Sequence, residues 1–249
     1  MKTRDRLTRV GRVGLTAVCL LTLTVVVGCN APQRSVIGTS VLGDKIECVS
    51  YGGGERVVLI MATIHGNEPA GTPLVNRLME ELEAEPQWLK GRRVLIIPVA
   101  NPDGYLAGTR YNANQVDLNR NFPATNFEAS ELHGDAPLQE PESGAILRLI
   151  EEEKPWQIVS IHQPLACIDY DGPGEAMAEA MGAHTDLPVR KLGGRAGSLG
   201  SYAGVNHGIP IITLELPEEA TGMSEAELWQ RYGRSLLAAI RYPELIDAS

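Results

Sequence analysis

The chain has 249 residues, 43% of them hydrophobic, with 22 lysines and arginines against 31 aspartates and glutamates and a formal net charge of −9. That size and apolar content fit one α/β domain, or two small ones, with a sizeable core. An acidic balance of this kind argues against nucleic acid as a partner.

Lys2, Arg4, Arg6, Arg9 and Arg12 precede an apolar run from Val13 to Val27, which is shorter than a membrane span usually needs and reads as an export signal over residues 1–28. Val26-Val27-Gly28-Cys29 resembles a bacterial lipobox, which implies cleavage before Cys29 and lipidation of that residue; several acyl chains give stable anchoring. The alternative is an ordinary cleaved signal with an incidental cysteine. Asn30 does not match the aspartate signal for inner-membrane retention, so the expectation is an outer-membrane lipoprotein facing the periplasm. Removing residues 1–28 takes away five of the 22 positive and one of the 31 negative charges, leaving 17 against 30, or −13. Cys48 and Cys167 then remain beside Cys29; an oxidising envelope would let them pair, and two buried thiols are the equal alternative.

Residues 29–34 form the lipidated cysteine and a short tether, and residues 35–249 the folded domain. Val36–Leu42 and Lys45–Tyr51 flank Gly43-Asp44, a two-residue turn that predicts an opening antiparallel hairpin. Val57 to Ile64 is a nearly unbroken apolar run, the pattern of a strand covered on both faces. Pro69–Glu83 carries Leu74, Val75, Leu78, Met79 and Leu82 at helical spacing. Arg93–Ala100 is a second buried strand. From Asn101 to about Leu138 no period persists, and a loop that long usually carries function. Glu140–Lys154 reads as a helix, Gln157–His162 as a third strand and Gly174–His184 as a helix. Leu187–Val205 is irregular apart from a short helix around Ser201. Pro210–Leu216 is a fourth buried strand, and Ser224 with Glu227 makes a capping box for a last helix. Strands alternating with helices, without an internal repeat, predict a single α/β domain whose mixed, mostly parallel sheet is flanked by helices.

His65 and Glu68 follow the first buried strand, and His162 ends the third. Open α/β sheets place their chemistry at such C-terminal strand ends. An imidazole and a carboxylate three residues apart can share one ion, and a second histidine leaves a fourth position open, the arrangement of a catalytic zinc. Alone, His-x-x-Glu occurs by chance in many chains. His133, His184 and His207 read better as solvated or hydrogen-bonded histidines. Glu215 stands in an apolar strand, where burial raises a carboxyl toward neutrality and poises it as a general base; pairing with an arginine is the structural alternative. Between these lie Arg110 and Asp117-Leu118-Asn119-Arg120-Asn121-Phe122-Pro123, whose arginines suit a carboxylate or a developing oxyanion. Without a metal nearby they would be surface arginines.

His65-x-x-Glu68, Asn101-Pro102-Asp103-Gly104, Arg110, Asn119-Arg120-Asn121, His162 and Thr213-Leu214-Glu215-Leu216 together resemble the ordered motifs of the zinc carboxypeptidases over about residues 57–217. The resemblance implies that family's fold and one zinc ion per chain held by His65, Glu68 and His162. It implies Arg110 as oxyanion stabiliser, Asn119 and Arg120 as clamp on the substrate's terminal carboxylate, and Glu215 as general base. Val116–Pro123, Gly197–Tyr202 and Leu214-Glu215-Leu216-Pro217 are similar to the branch that cleaves the γ-D-glutamyl–meso-diaminopimelate bond of murein peptides. The substrate-capping tyrosine of digestive carboxypeptidases has no clear counterpart, with Tyr202 as candidate.

The expectation is a zinc amidase or carboxypeptidase of the cell envelope acting on a small, murein-derived peptide. Its membrane contact would run only through a lipid at Cys29, and no protein partner is implied. Two other enzymes remain open, a carboxypeptidase on ordinary C-terminal peptides and a deacylase of the succinylglutamate desuccinylase and aspartoacylase type. The latter also resembles His65-Gly66-Asn67-Glu68 and Asp117-Leu118-Asn119-Arg120. A lipoprotein that binds peptide or wall without catalysis is the non-enzyme alternative.

Overall fold

The structure is a computed structural model and describes residues 31–244 and residue 246. The expected export signal and lipidated Cys29 lie outside the described residues. Eight strands form one sheet: β1 (Gln33–Thr39), β2 (Lys45–Gly52), β3 (Arg56–Ala62), β4 (Arg92–Ile97), β5 (Gln157–His162), β6 (Leu165–Asp171), β7 (Val189–Arg190) and β8 (Ile211–Pro217). Their order across the sheet is β1-β2-β4-β3-β5-β8-β6-β7. The centre, β4-β3-β5-β8, is parallel, whereas β1, β2 and β6 join antiparallel to their inner neighbours. This is the expected mixed α/β sheet with its antiparallel opening.

The two central strands are apolar on both faces because helices cover both. Val58, Ile60 and Ala62 of β3 join one cluster with α1 (Gly71–Ala84), α4 (Glu175–Gly182) and the last helix, formed by α5 (Glu225–Leu228), a wider π-helical stretch and α6 (Arg234–Arg241). Val57, Leu59 and Met61 join the opposite cluster with α3 (Pro141–Glu153) and the segment around Tyr202. Leu59 and Ile60 are fully buried, and each such side chain contributes about 1.5–3 kcal/mol. The Ser224–Glu227 capping box is present.

Three local expectations change. The first hairpin turns through Ser40–Asp44, because Ser40 Oγ donates to Asp103 Oδ1 (2.6 Å) and the Leu42 N–H to Asp103 Oδ2 (3.1 Å), holding the loop open against α2 (Pro102–Ala107). That helix interrupts the long loop: the Asn101 side chain caps it by accepting from the Gly104 N–H, with proline in the first turn. β6 is the third, a strand hidden by its charged residues. Cys48 in β2 and Cys167 in β6 are free and buried. Four strands separate β2 from β6, which places the thiols about 24 Å apart at the usual strand spacing and rules out a disulfide between them.

Candidate active site

β3 ends at Ala62, and the chain turns at Thr63, whose φ of +55° lies in the left-handed region. A non-glycine residue there costs about 1–3 kcal/mol unless its surroundings fix it. The Thr63 carbonyl accepts from the Asn101 N–H (3.0 Å), and its hydroxyl meets that of Thr72 at 2.7 Å. The turn delivers His65 and Glu68 over the carboxyl end of the sheet, where Gly66 packs against the backbone of Gly104 so closely that a Cβ would collide with it. The His-Gly-Asn-Glu and Asn-Pro-Asp-Gly segments are thus two halves of one contact.

His65, Glu68 and His162 converge there, all buried, their donor atoms within 4.8 Å of one another. His65 Nδ1 lies 2.9 Å from Glu68 Oε1, and His162 Nδ1 lies 2.9 Å from Glu68 Oε2 and 3.2 Å from His65 Nδ1. The outer nitrogens are held elsewhere, His65 Nε2 by Asp117 Oδ1 at 3.0 Å and His162 Nε2 by Ser160 Oγ at 2.9 Å. Two imidazoles that turn the same nitrogen toward one carboxylate, with their other nitrogens anchored, fit the nitrogen and oxygen donor set of zinc. Burial by itself would raise the Glu68 carboxyl, but hydrogen bonds and charge from His162 and His65 hold it well below the usual carboxylate range.

Asp117 joins the two halves of the site. Its Oδ1 faces His65, and its Oδ2 accepts from Arg110 Nε at 2.9 Å while Arg110 Nη1 donates to Glu68 Oε1 at 3.0 Å. Burial would raise Asp117 too, yet His65, Arg110 and Arg120 hold it far down, so it stays ionised. Neither Asp117 nor Ser160 was singled out by spacing, because nothing in a local pattern tells that a side chain will meet the far side of an imidazole. The structure brings Arg110, Asn119 and Arg120 into the cleft with the histidines and Glu215. Asn119 Oδ1 accepts from the Leu199 N–H (2.9 Å), which leaves the amide nitrogen as its donor.

Glu215 in β8 pairs in register with His162 in β5. Among the described residues it takes a hydrogen bond from the Leu165 N–H (3.3 Å) and makes no ion pair with an arginine. Burial, only partly offset by the charge of His162, pushes its carboxyl up. Tyr202 does not line the cleft. It is buried in one of the two core clusters, within the π-helical segment Gly200–Asn206, stacked with Phe122 (6.5 Å between centroids) and tilted against His207 (4.4 Å).

Fold and site together define a peptide-bond hydrolase with a zinc-type donor set. The zinc carboxypeptidase family profile matches residues 30–176, and the chain belongs to that family. Murein peptide amidase A of Escherichia coli K12 is 34% identical over 205 residues, which cover 74% of this chain and 79% of the relative. Murein peptide amidase A of Vibrio campbellii is 34% identical over 202 residues, 74% of this chain and 77% of that one. The crystal structure of murein-tripeptide amidase MpaA from Escherichia coli O157 superposes with a TM-score of 0.67 at 30% identity, covering 88% of this chain and 96% of that one. Carboxypeptidase A from Helicoverpa armigera shares the fold at a TM-score of 0.72 and 21% identity, over 86% of this chain and 70% of its own.

Proposed function

We propose that this protein hydrolyses the γ-D-glutamyl–meso-diaminopimelate amide of murein peptides in the cell envelope. The observation that carries the reading is the in-register pair of His162 and Glu215, in one cleft with Arg110, Asn119 and Arg120, in a chain similar to murein peptide amidases along most of its length.

His65, Glu68 and His162 would hold the zinc, which supplies a Lewis acid that draws charge from a carbonyl oxygen and makes water easier to deprotonate. Glu215 takes the proton from the attacking water and, after the water oxygen has bonded to the carbonyl carbon, delivers it to the nitrogen as the C–N bond breaks. Its burial serves this cycle, because a carboxyl pushed up from its ordinary value takes a proton from water more readily and holds it until the leaving nitrogen, a stronger base, accepts it. Arg110 is held by Glu68 and Asp117 through Nη1 and Nε, and its remaining N–H groups stabilise the developing oxyanion. Asn119 and Arg120 orient the substrate by its terminal carboxylate.

The location rests on residues 1–29: an export signal, with a lipid on Cys29 anchoring the domain to the outer membrane. A Cys29→Ser variant that stayed in the membrane fraction would remove that anchor from the reading.

The deciding experiment incubates zinc-loaded protein with L-Ala-γ-D-Glu-meso-diaminopimelate and follows products by mass spectrometry. Release of free diaminopimelate and L-Ala-γ-D-Glu is expected. With bound zinc verified, no release would discard the wall substrate, and C-terminal peptides and N-acyl amino acids would then be the substrates to assay.

A further inference from the structure

The place where the chain enters the fold limits which end of the domain a lipid on Cys29 can hold against a bilayer. β1 is antiparallel to β2, and β2 to β4, so β1 runs in the same direction as the parallel centre, toward the edge that carries His65, Glu68 and His162. Gln33 pairs with Ser50, Ser50 with Leu95, Leu95 with Leu59 and Leu59 with Ile158. The start of β1 is therefore four positions, about 13 Å, short of the His162 rung. From Gln33 the strand climbs six residues, about 20 Å, to the Ser40–Asp44 turn that α2 holds at the cleft end. Cys29 stands four residues before Gln33, and four residues reach at most about 14 Å. That is too short to carry a lipid past the turn at the cleft end. In the other direction it suffices: Trp156 lies two positions before Ile158, about 7 Å further from the cleft, and a headgroup layer takes up about 5–7 Å more.

The turns at this amino end of the parallel strands present an exposed indole. Trp156 is 50% exposed, its backbone N–H donates to the Val57 carbonyl at 2.8 Å, and the Arg56 guanidinium lies over its ring, 4.9 Å from the centroid. Arg56 and Arg241 pair with Glu244, and Arg93 with Glu153, so the charge here is mixed and exerts little net pull on anionic lipid. An indole, apolar in its body and polar at one edge, sits well at headgroup level. We propose that this face, centred on Trp156 and Arg56, rests on the headgroups of the membrane that a lipid on Cys29 anchors, and that the cleft opens away from it, toward the wall. The proposal rests on the lipid-anchor reading of residues 1–29 and goes beyond it by fixing the orientation of the domain. A long tether would let the cleft face either way; four residues do not.

The test places the full lipidated protein in vesicles of phosphatidylethanolamine and phosphatidylglycerol, with a spin label on one introduced cysteine. The two sites are Glu55→Cys, beside Arg56, and Leu106→Cys, in α2 at the cleft end; both positions are exposed, whereas Cys48 and Cys167 are buried. Some of the lipids carry a paramagnetic nickel headgroup, whose relaxing effect falls steeply with distance. The label on Glu55→Cys is expected to relax several-fold more than the label on Leu106→Cys, and Trp156→Ala to shrink that difference. Equal relaxation of the two labels, or stronger relaxation on Leu106→Cys, overturns the proposal. A difference that ignores Trp156→Ala would leave a tether without a docked face and overturns it as well. Weak relaxation on Glu55→Cys together with coupling between labels, the mark of a second copy on this face, does the same. Flotation with the vesicles separates the two readings: protein that fails to float removes the anchor and the proposal with it, whereas protein that floats without the difference keeps the anchor and loses the orientation.

Discussion

Asp117 Oδ1 stands 3.0 Å from His65 Nε2, on the side of the ring away from Glu68, so the imidazole is gripped between two carboxylates 49 positions apart in sequence. That grip fixes which nitrogen faces the metal position, and it raises the basicity of the ring. Asp117→Ala should therefore lower zinc affinity by about 10- to 100-fold with the fold intact, as read by competition against a chelator. Unchanged affinity would show that His65 is oriented without Asp117.

Glu215→Gln keeps the shape of the side chain and removes the proton transfer proposed for it. Amide turnover should fall by about 10²- to 10⁴-fold, with zinc still bound at one per chain. His162→Ala should lose both metal and turnover. A Gln variant with wild-type rates would mean that another group moves the proton.

Gly66 leans on the backbone of Gly104, where no neighbour can give way. Gly66→Ala should destabilise the protein by about 1–3 kcal/mol or more, measurable by thermal or urea unfolding. An unaltered midpoint would show that the two segments can separate at little cost.

The C-terminal segment offers a pH test. Arg92, buried in β4, donates to the carbonyls of Ile240, Arg241 and Tyr242 and, at 2.7 Å, to Glu244, whose carboxyl that hydrogen bond holds below its ordinary value. A carboxyl lowered in the folded state adds stability above its unfolded pKa and loses it as pH falls through the folded one. Glu244→Gln should be slightly less stable than wild type at neutral pH, and the gap should close in acid. Half-exposure of Glu244 keeps the effect small. A gap that widens on acidification would contradict the assignment.

Cys48 and Cys167 are free, and burial pushes each thiol up to about 11. Native protein should resist a thiol reagent at neutral pH, because the thiolate is the reactive form. Both should react once the chain is unfolded without reductant. Failure to react after unfolding would reveal a disulfide.

The central strands, the long helices and the cluster of His65, Glu68 and His162 were legible in the sequence, because periodicity and burial on both faces are written locally and strand ends in an α/β sheet share one edge. β6 was not. Leu165–Asp171 alternates Ile168 and Tyr170, which face the core, with Asp169 and Asp171, which face the cleft, and charge in a strand resembles a loop until the cleft that receives it exists. α2, with six residues, is too short to show a period. The first turn widened because Asp103, some 60 residues on, captures Ser40 and Leu42. Tyr202 reads equally well as a surface aromatic or a core residue, and only the packing of Phe122 and His207 around it decided. By itself the sequence determined which segments are buried and which residue types could meet a metal. The tertiary structure decided what stands beside each of them: Asp117 at His65, Ser160 at His162, the Leu165 N–H at Glu215. The physical reason is that a hydrogen bond depends on distance and direction in space, and partners 52 residues apart, as Asp117 and His65 are, leave no periodic trace along the chain.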